Sequence, residues 1–151
     1  MQPNAQQVGP AAGPINLEKF QESVNKALEE SVPCMLITAD ASGHPDVALK
    51  GSMMVFDNDH MAWWERSRAE QAAQVAENPH VAIWYRNPET RVQLRFYGEA
   101  EIHENDDIRQ QIMDKTVQRE LDADPERKGF GVLVRIDRVR LSRNTVQERN
   151  G

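Results

Sequence analysis

The sequence predicts a mainly β domain with flanking helices, an α+β chain whose strands close or nearly close into an antiparallel barrel. Three observations predict this. Six or seven short apolar runs alternate with turn residues, and most are neighbours in sequence, as in a series of antiparallel hairpins. One long run, Arg91 to His103, sets Val92, Leu94 and Phe96 against Gln93, Arg95 and Tyr97, the period of a strand with one buried face. A helix-period segment falls between the fourth and fifth runs. Closure is then the economical arrangement, because it removes exposed strand edges.

The elements follow in order. Met1 to Pro14 is rich in Gln, Asn, Ala, Gly and Pro and reads as a disordered or loosely ordered arm, so the domain proper is expected over residues 15–151. Asn16 is the expected N-cap of a first helix, in which Leu17, Phe20, Val24, Ala27 and Leu28 recur at helical spacing, and Pro33 ends it. Strands are expected over Cys34 to Ala39, Pro45 to Lys50, Ser52 to Phe56 and Met61 to Glu65, with turns at Asp40 to His44 and Asp57 to Asp59. Ser67-Arg68-Ala69-Glu70 has the capping-box pattern, and a helix with Ala72, Val75 and Ala76 inward follows, stopping before Asn78-Pro79. A fifth strand spans His80 to Tyr85 and a sixth Arg91 to His103. A helix is expected from Asp106 to about Leu121, a charged loop from Asp122 to Lys128, and a last strand from Gly131 to Leu141.

Composition narrows the function. At 151 residues the chain suits one domain with a proper core. A single cysteine, Cys34, excludes an internal disulfide and argues against a Cys/His zinc cluster, and the four histidines lack ligand spacing, so no metal is expected. No apolar run is long enough to cross a membrane as a helix, and the first residues do not resemble a signal peptide, so the expected compartment is the cytoplasm. A net charge of −6 argues against a general nucleic-acid binder, while leaving room for one small anion at a local basic site.

Three segments, in their order and spacing, carry a resemblance. They are Pro45-Asp46-Val47-Ala48-Leu49-Lys50-Gly51, then Met61-Ala62-Trp63-Trp64-Glu65 with the helix ending at Glu77-Asn78-Pro79-His80-Val81, then Arg91 to Glu101. Over roughly Leu17 to Arg140 the chain resembles the flavin mononucleotide (FMN)-binding split barrels of the pyridoxamine 5′-phosphate oxidase-like family. The resemblance implies a six-stranded antiparallel split β-barrel, two copies forming a homodimer, and FMN in clefts between them. It also admits the deazaflavin F420, haem or no cofactor, and a small-molecule substrate. It places Lys50 near the flavin phosphate, Val47 along the flavin, Trp64 and Glu65 at the end of the fourth strand, and Gln93 where a partner chain meets the ring. At the helix start, Ala69 and Gln71 stand where the family carries a hydroxyl and a basic residue. Ser67 and Arg68 are the nearby candidates for that role. The longer C-terminal segment that holds substrate in the family's oxidases is not recognisable.

The residue types suit that chemistry. A helix start presents free N–H groups and partial positive charge to a phosphate, Ser67 offers a hydroxyl, and Lys50 and Arg68 offer cations. The plainer alternatives are a simple N-cap for Ser67 and solvated pairs for the two cations. Trp63 and Trp64 are adjacent and must point to opposite faces of a strand, one into the core and one outward, where a partner or ring ligand would cover it. Trp84 raises the same question. Cys34 reads as a small buried hydrophobe. No nucleophile–base arrangement emerges from spacing, so the candidate function is either a flavin-dependent oxidoreductase or a non-catalytic ligand-binding barrel.

Overall fold

The computed structural model describes residues 11–67 and 70–150. A short 3₁₀ turn, Leu17–Phe20, runs into helix α1, Gln21–Asn25. The other elements are β1 Cys34–Ala39, β2 Pro45–Lys50, β3 Met54–Val55, β4 His60–Glu65, α2 Glu70–Glu77, β5 His80–Asn87, β6 Val92–His103, α3 Asp107–Lys115, α4 Gln118–Asp122, β7 Phe130–Leu141 and β8 Asn144–Glu148. All the strands share one sheet in the order β2-β1-β5-β6-β7-β4-β3, with β8 paired to the outside of β7. Every strand pairing is antiparallel. The six strands of six residues or more match six of the seven expected, and the seventh is the short β3. The two-residue β3 and the additional β8 bring the described sheet to eight.

The sheet curls until its ends, β2 and β3, lie one after the other in the chain. Inward side chains fill the interior: Leu17, Leu36, Met61, Trp63, Ile83, Leu94, Phe96, Val134 and Ile136 are almost wholly buried. Val24 and Phe20 close one side, and Phe20 meets Phe96 edge-on at 5.8 Å between ring centres. A second cluster of Met54, Phe56, Ala62, Trp64, Ile112 and Leu121 lies on the other side of β4, roofed by α3 and α4. In β7 one extra residue, Asp137, stands between the partners of Tyr97 and Gly98. The bulge lets both Ile136 and Val139 point inward. At that bulge the backbone of β6 passes so close to β7 that a Cβ on Gly98 would sit 2.0 Å from the carbonyl oxygen of Arg135, which only glycine tolerates.

Several expectations need correction. Asn16 makes no side-chain cap. Its backbone is tied instead to Gln147, which accepts from its N–H at 2.9 Å and donates to its carbonyl at 3.0 Å. The third strand is only two residues long. The helix expected from Asp106 breaks in two, because Thr116 and Val117 turn extended, with ψ of 137° and 138°. Residues 1–10 of the expected arm lie outside the described residues, and Gly13 joins β8 through a parallel bridge to Gln147.

Candidate cofactor-binding site

The expected site residues divide between the two faces of the sheet. On the inner side they gather at the seam, where β2 and β3 are joined by Gly51-Ser52-Met53 rather than by a ladder. Lys50 Nζ donates to Glu65 Oε1 at 3.0 Å, with the two side chains only 15% and 6% exposed. The same oxygen accepts from Trp63 Nε1 at 3.1 Å, and Oε2 accepts from the Ser67 N–H at 3.2 Å. Beside this pair, Ser52 Oγ donates to the Trp64 carbonyl at 3.1 Å and accepts from the Trp64 N–H at 3.0 Å. Side chains therefore close the seam. Next to it, a cleft of about 260 Å³ is lined by Lys50, Gly51, Ser52, Arg66 and Glu120. Arg66 Nε lies 3.7 Å from Glu120 Oε1. Two cations face two carboxylates there, so the cleft is close to electroneutral.

Both tryptophans of β4 are buried, at 1% for Trp63 and 2% for Trp64, which corrects the expectation that one stays open for a partner or ring ligand. Trp64 does point out of the barrel, but α3 and the loop after α4 cover it. Its Nε1 donates to Asp124 Oδ2 at 2.9 Å, and the Arg109 guanidinium sits 4.9 Å from its ring centre. Ser67 is exposed, and Arg68 lies outside the described residues, as does part of the expected capping box. Gln71 is buried, and its Nε2 donates to the Leu36 carbonyl at 3.3 Å, so this side chain braces β1. Cys34, opposite Lys50 in the ladder, is buried, and burial pushes its thiol up to about 12.

The outer face has a different character. Register places Leu49, Met35, Trp84 and Arg95 in one row across β2, β1, β5 and β6. Val47, Ile37, Ala82 and Tyr97 form the next. Val47 and Leu49 are 57% and 60% exposed, the most open large apolar side chains described. Trp84 is half-buried, and its indole N–H is buried with no acceptor among the described residues. Two shallow cavities open here. One, of about 350 Å³, is bounded by Ile37, Trp84 and Arg95. The other, of about 370 Å³, is bounded by Pro33, Met35, Leu49, Trp84 and Arg86. Gln93 lies on this same outer face, opposite Arg86, three strands along from β2. That is roughly 14 Å from the line of Lys50 at ordinary strand spacing. Within one chain the structure thus brings Lys50, Glu65 and Ser67 together, and leaves Val47 and Gln93 apart from them. Sequence reasoning missed Leu49 and the place of Trp84 in this surface. The alternation of Val47 with Leu49 on an edge strand was the available signal.

Comparison with known proteins follows the same lines. A family model described as pyridoxamine 5′-phosphate oxidase matches residues 20–141. No curated protein matches the chain. Among solved structures the chain is similar to a candidate pyridoxamine 5′-phosphate oxidase from Lactobacillus delbrueckii, at 28% identity and a TM-score of 0.63, covering 79% of this chain and 91% of that one. It is also similar to an FMN-binding protein from Syntrophomonas wolfei, at 11% identity and a TM-score of 0.62, over 82% of this chain and 86% of that one. An F420 reductase gives 19% identity and a TM-score of 0.58, over 88% and 98% of the two chains. At these last two identities the likeness is one of fold.

Proposed function

Because the chain belongs to the pyridoxamine 5′-phosphate oxidase family, we propose that it is an FMN-dependent oxidoreductase of the cytoplasm, acting on a small molecule as a homodimer with flavin in a cleft between the copies. The observation that carries this reading is the outer face. Val47 and Leu49 stand more than half exposed beside Trp84, whose buried N–H has no acceptor among the described residues. Apolar side chains gathered on a strand face are a surface made to be covered. A planar ring with polar edges would supply both an apolar face and acceptor atoms. The residues present fit such a ring: Val47, Leu49 and Met35 form an apolar floor, the Trp84 indole is a donor, and Gln93 of the second copy adds an amide. FMN bound there would supply hydride and electron transfer. The chain's own residues would orient it and keep water from it.

A second reading, a ligand-binding barrel without turnover, draws on the seam. Lys50 is already committed to Glu65, and a phosphate entering beside it would meet the carboxylates of Glu65 and Glu120. An absorption spectrum of the purified protein, repeated after adding FMN and removing the excess, separates the two. Visible flavin bands retained at one per chain support the oxidoreductase. A colourless protein that retains none supports the second reading, with deazaflavin and haem as the next ligands to test.

A further inference from the structure

We propose that His103 is a pH-operated latch that fastens helix α3, and through it the roof over Trp64, to the end of strand β6. Register puts His103, Gly131 and Trp64 in one row across β6, β7 and β4. Helix α3 lies over this row. Ile112 drops into the gap that Gly131 leaves, where a Cβ would meet its Cδ1 at 2.7 Å. On the Trp64 side, the Arg109 guanidinium rests 4.9 Å from the indole ring centre and donates from Nη2 to the Arg127 and Gly129 carbonyls at 2.7 and 3.1 Å. On the other side the fastening is His103. Its Nδ1 lies 2.7 Å from Asp106 Oδ2, while Oδ1 of the same carboxylate caps α3 by accepting from the Arg109 N–H at 3.0 Å. Its Nε2 lies 2.8 Å from Glu101 Oε1, an ion-pair distance with the oxygen off the hydrogen-bond direction. Helix α4 follows after Thr116 and Val117 and places Glu120 in the wall of the seam cleft, so the same latch steadies that wall.

Protonation decides whether the latch holds. Both ring nitrogens face carboxylate oxygens, which only accept, so both contacts are favourable only when the ring carries two protons. A neutral ring turns one lone pair toward an anion, and histidine changes charge between about pH 5 and 8. His44, His60 and His80 each meet one carboxylate, of Asp40, Asp57 and Glu99, and more than a quarter of each of these histidine side chains is exposed. Among the described residues His103 alone stands between two carboxylates, at 10% exposure. Ion pairs so enclosed are screened much less than exposed ones. The charges around it are one-sided. Strand β6 contributes Glu101, the following turn Glu104, and the start of α3 Asp106 and Asp107. Gly131 of β7 contributes none, and the Arg109 guanidinium is turned to the carbonyls after α4. The His103 ring, ahead of the Arg109 N–H, holds the Asp106 carboxyl below its usual range, so this anion persists throughout the range in which histidine titrates. The latch is therefore complete in mild acid and is lost as rising pH removes the cation from between the carboxylates.

The test follows amide hydrogen exchange of the intact protein by mass spectrometry at about pH 6 and about pH 8, corrected for the intrinsic effect of pH on exchange. Protection over α3 and α4 is expected to fall at least roughly tenfold at the higher pH, while that of β6 and β7 holds. His103→Gln should show reduced protection of the two helices at both pH values and no step between them. Asp106→Asn keeps a capping side chain but removes the anion, so the step should shrink severalfold with α3 still formed. This second variant decides the matter if His103→Gln does not fold. His44→Gln, at an exposed pair, should keep the wild-type step. A wild-type protein with no step, a step of opposite sign, or a full step in either His103→Gln or Asp106→Asn overturns the latch. Loss of protection in the strands in parallel with α3 would mean that the histidine sets the stability of the whole fold, and would overturn it too.

Discussion

At the scale of the residue, Glu65 is the acceptor on which the seam converges. It takes hydrogen bonds from Lys50, from the Trp63 indole and from the Ser67 backbone, while itself nearly buried. Truncating one partner of a buried ion pair leaves the other uncompensated, so Glu65→Ala should cost about 3–5 kcal/mol in urea unfolding. The Lys50→Met/Glu65→Leu double variant should recover most of that. If Glu65→Ala unfolds like wild type, the pair is not what holds the seam. Asp124, 9% exposed, performs a similar service for Trp64. Burial opposes its charge, but the N–H groups of Gly129 and Lys128, the Trp64 indole and the Arg127 cation outweigh burial and hold its carboxyl below the usual range. A depressed folded value means that the stabilisation is complete above the unfolded value of roughly 3.9 and is lost as pH falls through the folded one. Asp124→Ala strands a buried indole N–H and should cost about 1–3 kcal/mol at neutral pH. The gap to wild type should narrow in acid. A gap that widens in acid would contradict the assignment.

At the scale of the element, the strands were legible wherever one face is buried and the other wet. Val92, Leu94 and Phe96 against Gln93, Arg95 and Tyr97 describe β6 almost residue for residue. Strand β8 was not legible, because Asn-Thr-Val-Gln-Glu turns only Gln147 fully inward and is polar there too. The break between α3 and α4 was hidden for another reason: Thr116 Oγ1 donates back to the Ile112 carbonyl at 2.7 Å, a bond that competes with helix propagation and leaves no mark in periodicity. The helical turn that follows α1 ends in a paired hydrogen-bond motif. The Ser31 N–H donates to Leu28 at 3.0 Å and the Val32 N–H to Ala27 at 2.8 Å, with Ser31 at a φ of 62°. Glycine is the residue this C-terminus favours. Ser31→Gly should raise stability by about 0.5–1 kcal/mol, the relief of left-handed strain exceeding the added entropy of the unfolded chain. A lowered urea midpoint would argue against strain at this turn.

At the scale of the whole molecule, the candidate site was legible only in halves. Lys50 and Gln93 are visible as residue types in the right segments, but their faces depend on how the sheet curls. The partner that occupies Lys50 comes from a strand fifteen residues on. The burial of Trp64, the outward member of the pair, depends on a roof of helices that no local pattern announces. The outer face is where quaternary structure should declare itself. Light scattering is expected to give about twice the chain mass of 17.2 kDa. Val47→Asp with Leu49→Asp should shift it to monomer and abolish flavin retention together, since one surface serves both. A dimer that survives these substitutions would place the interface elsewhere.

The bulge at Asp137 has a consequence for how such a chain can change over generations. Gly98 is constrained because the extra residue on β7 pushes the Arg135 carbonyl against it. Removing Asp137 would restore simple alternation, with Ile136 inward, Arg138 outward and Val139 inward, and would lift that constraint. A one-residue deletion at 137 and a side chain at 98 should therefore travel together among descendants. Either change alone should be rare: the larger residue would collide with the bulge, and the deletion would straighten β7 and strip Arg149 of its backbone and side-chain partner in Asp137.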